Sequence, residues 1–481
     1  MAKTYKTPGT YVEEVSKFPP SVTQVETALP VFIGYTEKAG TDSEPLSSGV
    51  INEVTVATPK RISSLWEYEN YFGRAPFEKF DVTIEESYEK GTTTIKEQVI
   101  HALVPAPSIQ TMYYHMQLYF ANGGGPCYII SVGDTSGQGV SKSNLLAGLE
   151  MARRYEEPTL LVLPQAAHLD TAFDAYEVYN NALLQAGELG NRFVVIDCHG
   201  DDPDALRSQS GIGTPFLRYG AAYHPYLCTS LNYLYDLNIT ENLSITLKGN
   251  LGEADVFDAE VGLTPTYSEL NAELQASIKV ELDKLRVTLP PSAAVVGAYA
   301  AVDRSRGVWK APASISLQLV SGLTHQLTEK EQSKLNIDVD TGKSINAIRE
   351  FTGKGIMIWG ARTLAGNDNE WRYISVRRFF NMVEESSRKA TEKFEYEAND
   401  LDTWRRVQNM LENFLIILWR QGALQGVKPE HAFYVAVGLH RTMTPLDVLE
   451  GRMVVEIGMA VVRPAEFIIL RFSQKMSQRQ A

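Results

Sequence analysis

The densest group of reactive side chains is Asp197-Cys198-His199-Gly200-Asp201-Asp202, directly after the apolar run Val194-Val195-Ile196. Carboxylates at the carboxyl end of a strand are where open α/β sheets place metal ligands and acid–base groups. Asp197, His199 and Asp201 therefore define an alternative reading of the chain as a soluble α/β enzyme. Against it, Asp201-Asp202-Pro203 reads as an ordinary helix cap, and the other histidines have no spacing that completes a metal site. Two glycine-rich stretches invite comparison with phosphate loops. Gly137-Gln138-Gly139-Val140-Ser141-Lys142-Ser143 lacks the adjacent Gly-Lys of a P-loop and the last glycine of a dinucleotide fingerprint. Asn122-Gly123-Gly124-Gly125-Pro126 precedes a strand instead of following one, so it reads as a sharp turn. No cofactor is implied. Cys127, Cys198 and Cys228 are widely spaced without a CxxC pair, which indicates neither a disulfide framework nor a zinc cage.

The elements that would carry these residues follow from hydrophobic periodicity. Residues 30–35 read as the first core strand, and 127–132, 159–163 and 193–196 as further strands, with helices over 145–155, 172–186 and 203–209. Alternating strands and helices signal an α/β layer. Helices are expected over 268–285 and 292–302. The segment 40–110 is rich in breakers and takes no assigned fold, with 85–94 as an exposed insertion; 228–270 is polar and rich in turns. Near the carboxyl end, 375–396 is helical. Trp404, Val407, Leu411, Phe414 and Leu418 fall at 3,4,3,4 spacing on a second helix, which Asn399 or Asp400 caps and Gly422 ends. Such a stripe reads first as core, leaving Asp402, Arg405, Arg406 and Glu412 for solvent or a partner. Strands are expected at 433–437, 453–462 and 467–472, and hinges at 34–40 and 461–464 beside breakers.

The amino-terminal segment is different. Thr10-Tyr11-Val12-Glu13-Glu14-Val15 reads as one strand with no hairpin partner, preceded by Pro8-Gly9 and followed by the stiff Pro19-Pro20. Ordering a residue costs roughly 1–2 kcal/mol, and a backbone hydrogen bond returns a net of about 0.5–1.5 kcal/mol. Burial of Tyr11, Val12 and Val15 must therefore decide whether the segment docks, and its polarity suits addition to the edge of another sheet. The bulk properties agree with a folded, soluble protein. A net charge of −13 over 481 residues disfavours nucleic acid and anionic membrane surfaces. The start of the chain has no apolar signal core, and no stretch approaches the roughly 20 apolar residues of a membrane span, so cytosolic synthesis without direct membrane insertion is expected.

Several stretches resemble the sheath proteins of contractile phage tails and phage-tail-like injection systems. They are Tyr5-Lys6-Thr7-Pro8-Gly9-Thr10-Tyr11-Val12-Glu13-Glu14-Val15, Val302-Asp303-Arg304-Ser305-Arg306-Gly307-Val308-Trp309, Trp359-Gly360-Ala361-Arg362-Thr363, Trp371-Arg372-Tyr373-Ile374-Ser375-Val376-Arg377-Arg378 and Arg463-Pro464-Ala465-Glu466-Phe467-Ile468. The resemblance implies a non-enzymatic, multidomain α/β (α+β) sheath fold. Its expected parts are an arm at 1–22, an inner tube-facing domain from 23–40 and 345–481, a variable outer insertion at 41–110 and an outer α/β domain at 111–344.

It further implies a subunit that polymerises helically, as stacked hexameric rings, around an inner tube protein. A metastable extended array contracts to drive that tube through a target envelope. Implied partners are other copies, the tube, baseplate and terminal cap proteins; implied localisation is cytoplasmic assembly as part of a phage tail or of a phage-tail-like particle, a class that includes particles released outside the cell. The arm residues Tyr11, Val12, Glu13 and Val15, and the carboxy-terminal strand with Phe467, Ile468, Ile469, Leu470 and Phe472, map to inter-subunit strand exchange. Asp402, Arg405, Arg406 and Glu412 map to the tube-facing helix.

Overall fold

The computed structural model describes residues 22–467 apart from 42, 89–94, 136, 138, 238, 240–241 and 251–264. They fall into two compact units, one of 26–381 with 463–467 and a smaller one of 22–25 with 382–462.

The larger unit is built on a nine-stranded sheet. Six consecutive strands are parallel, in the order Ile345–Phe351, Gly220–His224, Phe193–Asp197, Leu160–Val162, Pro30–Gly34 and Cys127–Ser131. These runs are apolar almost throughout because a parallel strand is covered on both faces. Neighbouring residues feed opposite cores: Val31, Ile33, Val194 and Ile196 enter one cluster, while Phe32, Phe193 and Val195 enter the other. Helices Lys142–Arg153 and Ala172–Leu189 supply Leu145, Leu149, Tyr176 and Tyr179 to the first cluster. Helices Met112–Ala121 and Ser292–Arg306 supply Met116, Tyr119, Val295 and Tyr299 to the second. The small-residue character of Ser292–Arg306 has a steric cause: a Cβ on Gly297 would lie 2.5 Å from the Tyr119 carbonyl oxygen. Antiparallel strands close the sheet, Gly355–Ile358 then Ile315–Ser316 on one side and Lys60–Ile62 on the other.

Three sequence-based expectations change. First, Pro30–Gly34 and Ile345–Phe351 lie inside this sheet, so 26–40 and 345–381 belong to the larger unit with the α/β layer, while 23–25 and 382–462 belong to the smaller one. Second, the stretch given no fold at 40–110 contains a helix, Leu65–Phe72, and the hairpin Phe80–Tyr88 with Ile95–Leu103; 85–88 and 95 onward are ladder residues, and the hairpin tip lies outside the described residues. Third, 228–270 contributes Leu243–Asn250, which pairs parallel to Phe80–Tyr88. The helix Ala272–Leu282 packs there through Ile278 and Leu282 against Phe80, Val82, Ile84 and Ile245, a separate small core. The signal was present as period-2 apolar residues at 80, 82 and 84, too short beside its polar neighbours to outweigh them.

In the smaller unit, the helix Leu401–Arg420 begins where Asp400 accepts the Thr403 amide, 3.0 Å away, and stops before Gly422, whose φ is +85°. Trp404, Val407, Met410, Leu411, Phe414, Leu415 and Leu418 are buried, so the 3,4 stripe is core. Phe433–Val437 and Val455–Met459 form an antiparallel two-stranded sheet. The expected strand at 453–462 is shorter, and its partner within the chain is 433–437. Phe467, the described residue of the expected 467–472 strand, is exposed and irregular, and the remainder lies outside the described residues, as does the whole 10–15 arm.

Candidate functional site

The carboxylate loop after Phe193–Asp197 is used for structure. Asp197 is completely buried, and its Oδ1 accepts the Ser292 amide, 2.9 Å away, at the start of Ser292–Arg306. A helix amino terminus favours negative charge, yet burial dominates and pushes the carboxyl up to about 7. His199 Nε2 is 2.7 Å from the Leu169 carbonyl oxygen. Asp201 accepts the Tyr226 amide at 2.9 Å and the Thr324 hydroxyl at 2.5 Å, and its Oδ1 lies 2.9 Å from His224 Nδ1. Asp202 accepts the Asp204 amide as the cap of Pro203–Arg207. Each side chain of the suggested catalytic set thus serves a different neighbouring element. Among the described residues no group of three His, Cys, Asp or Glu side chains can hold a metal ion. The soluble-enzyme alternative has no support.

The motif residues instead pair with one another within the larger unit, close in sequence to the points 25/26, 381/382 and 462/463 at which the chain crosses from one unit to the other. At the last crossing, Glu466 receives Arg362 in a fork, Nε to Oε1 at 2.9 Å and Nη2 to Oε2 at 2.7 Å. Tyr373 Oη adds a hydrogen bond at 3.2 Å and Asn336 Nδ2 another at 3.3 Å. The Arg362 side chain is 2 % exposed and that of Glu466 25 %. A paired fork at a nearly buried arginine is stronger and more directional than a surface ion pair.

Near the first two crossings, Arg378 donates to both oxygens of Asp303, at 3.1 and 2.5 Å, and both side chains are buried. Arg378 also donates to the Thr27 carbonyl oxygen at 2.9 Å, and the Thr27 hydroxyl donates to Asp303 at 2.6 Å. Its guanidinium lies 4.8 Å from the Tyr299 ring centroid, and the Tyr299 and Tyr223 hydroxyls are 2.6 Å apart. The adjacent Arg377 is held by Asn381 Oδ1 at 2.7 Å and stacks against Trp371, 4.3 Å from the ring centroid. Arg362, Arg377, Arg378, Asp303 and Glu466 all stand in the quoted motifs. Their types were legible; their pairing, across 75 and 104 positions, was not.

In the smaller unit, Asp402, Arg405 and Arg406 lie exposed on Leu401–Arg420, with Glu412 partly buried and accepting from Gln408 at 2.7 Å. Arg406 pairs with Glu397 and approaches Asp402 at 3.6 Å. The two-stranded sheet has no third strand among the described residues.

Residues 366–475 match the family model described as the phage tail sheath C-terminal domain. In fold the chain is similar to a chain of the anti-feeding prophage (AFP) baseplate, six-fold symmetrised, at 29% identity and TM-score 0.62, covering 98% of this chain and 100% of that one. It is similar to the sheath complex of PVC, an extracellular contractile injection system, in its contracted state, at 28% identity and TM-score 0.60, covering 99% and 100%. The AFP helical sheath in its contracted state matches at 28% identity and TM-score 0.62, covering 98% and 100%. The carboxy-terminal part of the chain thus matches the sheath family model, and the whole chain shares its fold with contractile sheath proteins. No curated protein sequence matches this chain. The multidomain α/β fold read from the sequence is the fold of these sheath proteins.

Proposed function

We propose that this chain polymerises helically, as stacked hexameric rings, around an inner tube, and contracts from a metastable extended array to drive the tube through a target envelope. The observation that carries the reading is the end-to-end similarity to sheath chains of AFP and PVC in contracted states. The arm with Tyr11, Val12, Glu13 and Val15 and the tail with Ile468, Ile469, Leu470 and Phe472 extend the two-stranded sheet of a neighbouring copy by strand addition. That sheet, at Phe433–Val437 and Val455–Met459, has the open ladder such addition requires. Asp402, Arg405, Arg406 and Glu412 face the tube. The reading includes baseplate and terminal cap partners, assembly in the cytoplasm, release as a particle and no catalytic turnover.

Energy is stored at assembly. A modest free-energy difference per subunit between two packings, summed over a connected lattice, makes the transition cooperative. Negative-stain imaging of the expressed chain should show tubes or rings. Removal of residues 1–20 should leave the melting temperature of the unassembled subunit unchanged and abolish tubes; tubes from the truncated chain would overturn strand exchange by the arm.

A further inference from the structure

We propose that Arg362 and Glu466 anchor the carboxy-terminal segment to the central sheet, so that pull on residues beyond 467 enters the larger unit at this pair. The inference rests on the strand-exchange reading above, because a segment bound to a neighbour is what would be pulled. The argument starts from the convergence of donors. Arg362, Tyr373 and Asn336 place four donor atoms on one carboxylate. Glu466 is the last residue but one before the described chain ends.

The arginine is in turn fixed through its own backbone. The Arg362 amide donates to Asn346 Oδ1 at 2.8 Å, and Asn346 Nδ2 donates to the Arg362 carbonyl oxygen at 2.8 Å and to that of Ala222 at 3.1 Å. Asn346 is fully enclosed on the strand Ile345–Phe351, opposite Tyr223 of Gly220–His224. Arg362 also forms an isolated antiparallel bridge with Tyr373. A continuous line of directional bonds thus runs from Glu466 through Arg362 and Asn346 to the Ala222 carbonyl, inside the parallel part of the sheet. The fork resists displacement of the carboxylate along either oxygen, and an unpaired Arg362 left in this setting would be an uncompensated charge.

Of the hinge expected at 461–464, the first two residues are tied down. Val461 bridges Leu424, and the Val462 amide donates to the Ala423 carbonyl oxygen at 3.2 Å, so both residues are tied within the smaller unit. Tension on the tail is delivered to the nine-stranded sheet instead of peeling Val455–Met459 from Phe433–Val437.

Chymotrypsin digestion of the unassembled full-length chain tests the anchor. Cleavage after Phe467 requires Glu466 to enter the protease cleft and so to leave Arg362; cleavage after Phe472 is the reference within the same chain. Glu466→Gln and Glu466→Ala should each raise the ratio of the first rate to the second at least tenfold. Arg362→Lys, which keeps the charge and loses the fork, should raise it as well. Glu466→Gln retains shape and one carbonyl acceptor and guards against misfolding of the other variants, with circular dichroism as the check. An unchanged ratio in folded Glu466→Gln overturns the anchor. In assembled material, Glu466→Gln tubes should dissociate at lower denaturant than wild-type tubes; equal resistance alongside a raised ratio overturns the path of tension. Failure of the wild-type chain to form any tube would refute the polymer reading and, with it, the proposed pull, while the digestion would still decide whether the pair holds Glu466.

Discussion

The nine-stranded sheet and the two-stranded sheet treat their edges in opposite ways. The larger one tapers to Ile315–Ser316 and Lys60–Ile62, strands of two and three residues, the latter carrying Lys60 and Arg61. Short, charged edges discourage further pairing. The smaller one keeps five residues in each strand, in full register from Phe433↔Met459 to Val437↔Val455, with no third strand among the described residues. A lone pair of strands is marginal by itself. Within the chain its support is the helix Leu401–Arg420, which contacts it. Among the described residues one sheet closes with short edge strands, and the other leaves two five-residue strands without a third; under the proposed strand exchange, a neighbouring copy would supply it.

Acid should break this comparison most strongly, by attacking the larger sheet's surroundings. His115 on Met112–Ala121 is fully buried with neither ring nitrogen hydrogen-bonded, and burial lowers it from 6.5 to about 3; His168 falls to about 4 for the same reason. A histidine whose folded pKa is depressed contributes stability that is present above its unfolded value and lost as pH falls from 6.5 toward the folded value. For His115 alone the loss is on the order of 4–5 kcal/mol. Hydrogen exchange at pH 4 should accelerate over Met112–Ala121 before it does over Leu401–Arg420, and His115→Phe should remove most of that difference. The reverse order would mean that the smaller unit is the weaker one in acid.

Phe414→Ala strikes the other side. It removes a buried side chain from the helix that contacts the two-stranded sheet and should cost about 3–5 kcal/mol. Exchange should rise across 401–459 with the strands of the central sheet unaffected; a uniform rise would show that the two units unfold together. Asp197→Asn is expected to act in the stabilising direction. With the folded carboxyl near 7 against an ordinary 3.8, ionisation becomes costly as pH rises through that window. The variant should gain a few kcal/mol at pH 8 and nothing below pH 4, seen as a flatter dependence of melting temperature on pH. A melting temperature that falls at pH 8 would assign Asp197 a required negative charge. Gly422→Ala has the smallest effect, about 1 kcal/mol for a side chain at positive φ with open space around it, measurable as a small drop in the midpoint of the smaller unit alone.

Much of the fold was legible because its signals are local. Val31-Phe32-Ile33 and Phe193-Val194-Val195-Ile196 announce strands by being apolar on both faces. Asp400 and Gly422 mark the two ends of a helix whose 3,4 stripe names its own core. The missed strands at 80–88 and 243–250 were hidden by polar residues on their open faces, and their pairing spans 163 positions at Phe80 and Leu243. The candidate site was legible as residue types and not as geometry. Arg362, Arg378, Asp303 and Glu466 stood in the motifs, but nothing in their spacing said which arginine would meet which carboxylate.

By itself, then, the sequence determined the apolar strands of the central sheet such as 30–34 and 193–197, and that Leu401–Arg420 is a helix that buries one stripe. Those properties depend on neighbours within a turn or two of chain, where periods of 2 and 3.6 set which side chains share a face. The tertiary structure alone decided that residues 30–34 and 345–351 occupy one sheet, that Asp197 serves a helix start 95 positions away, and that Glu466 is tied to Arg362. These are distances through space between chain segments, fixed by how whole layers bury their apolar faces, and no local pattern encodes them.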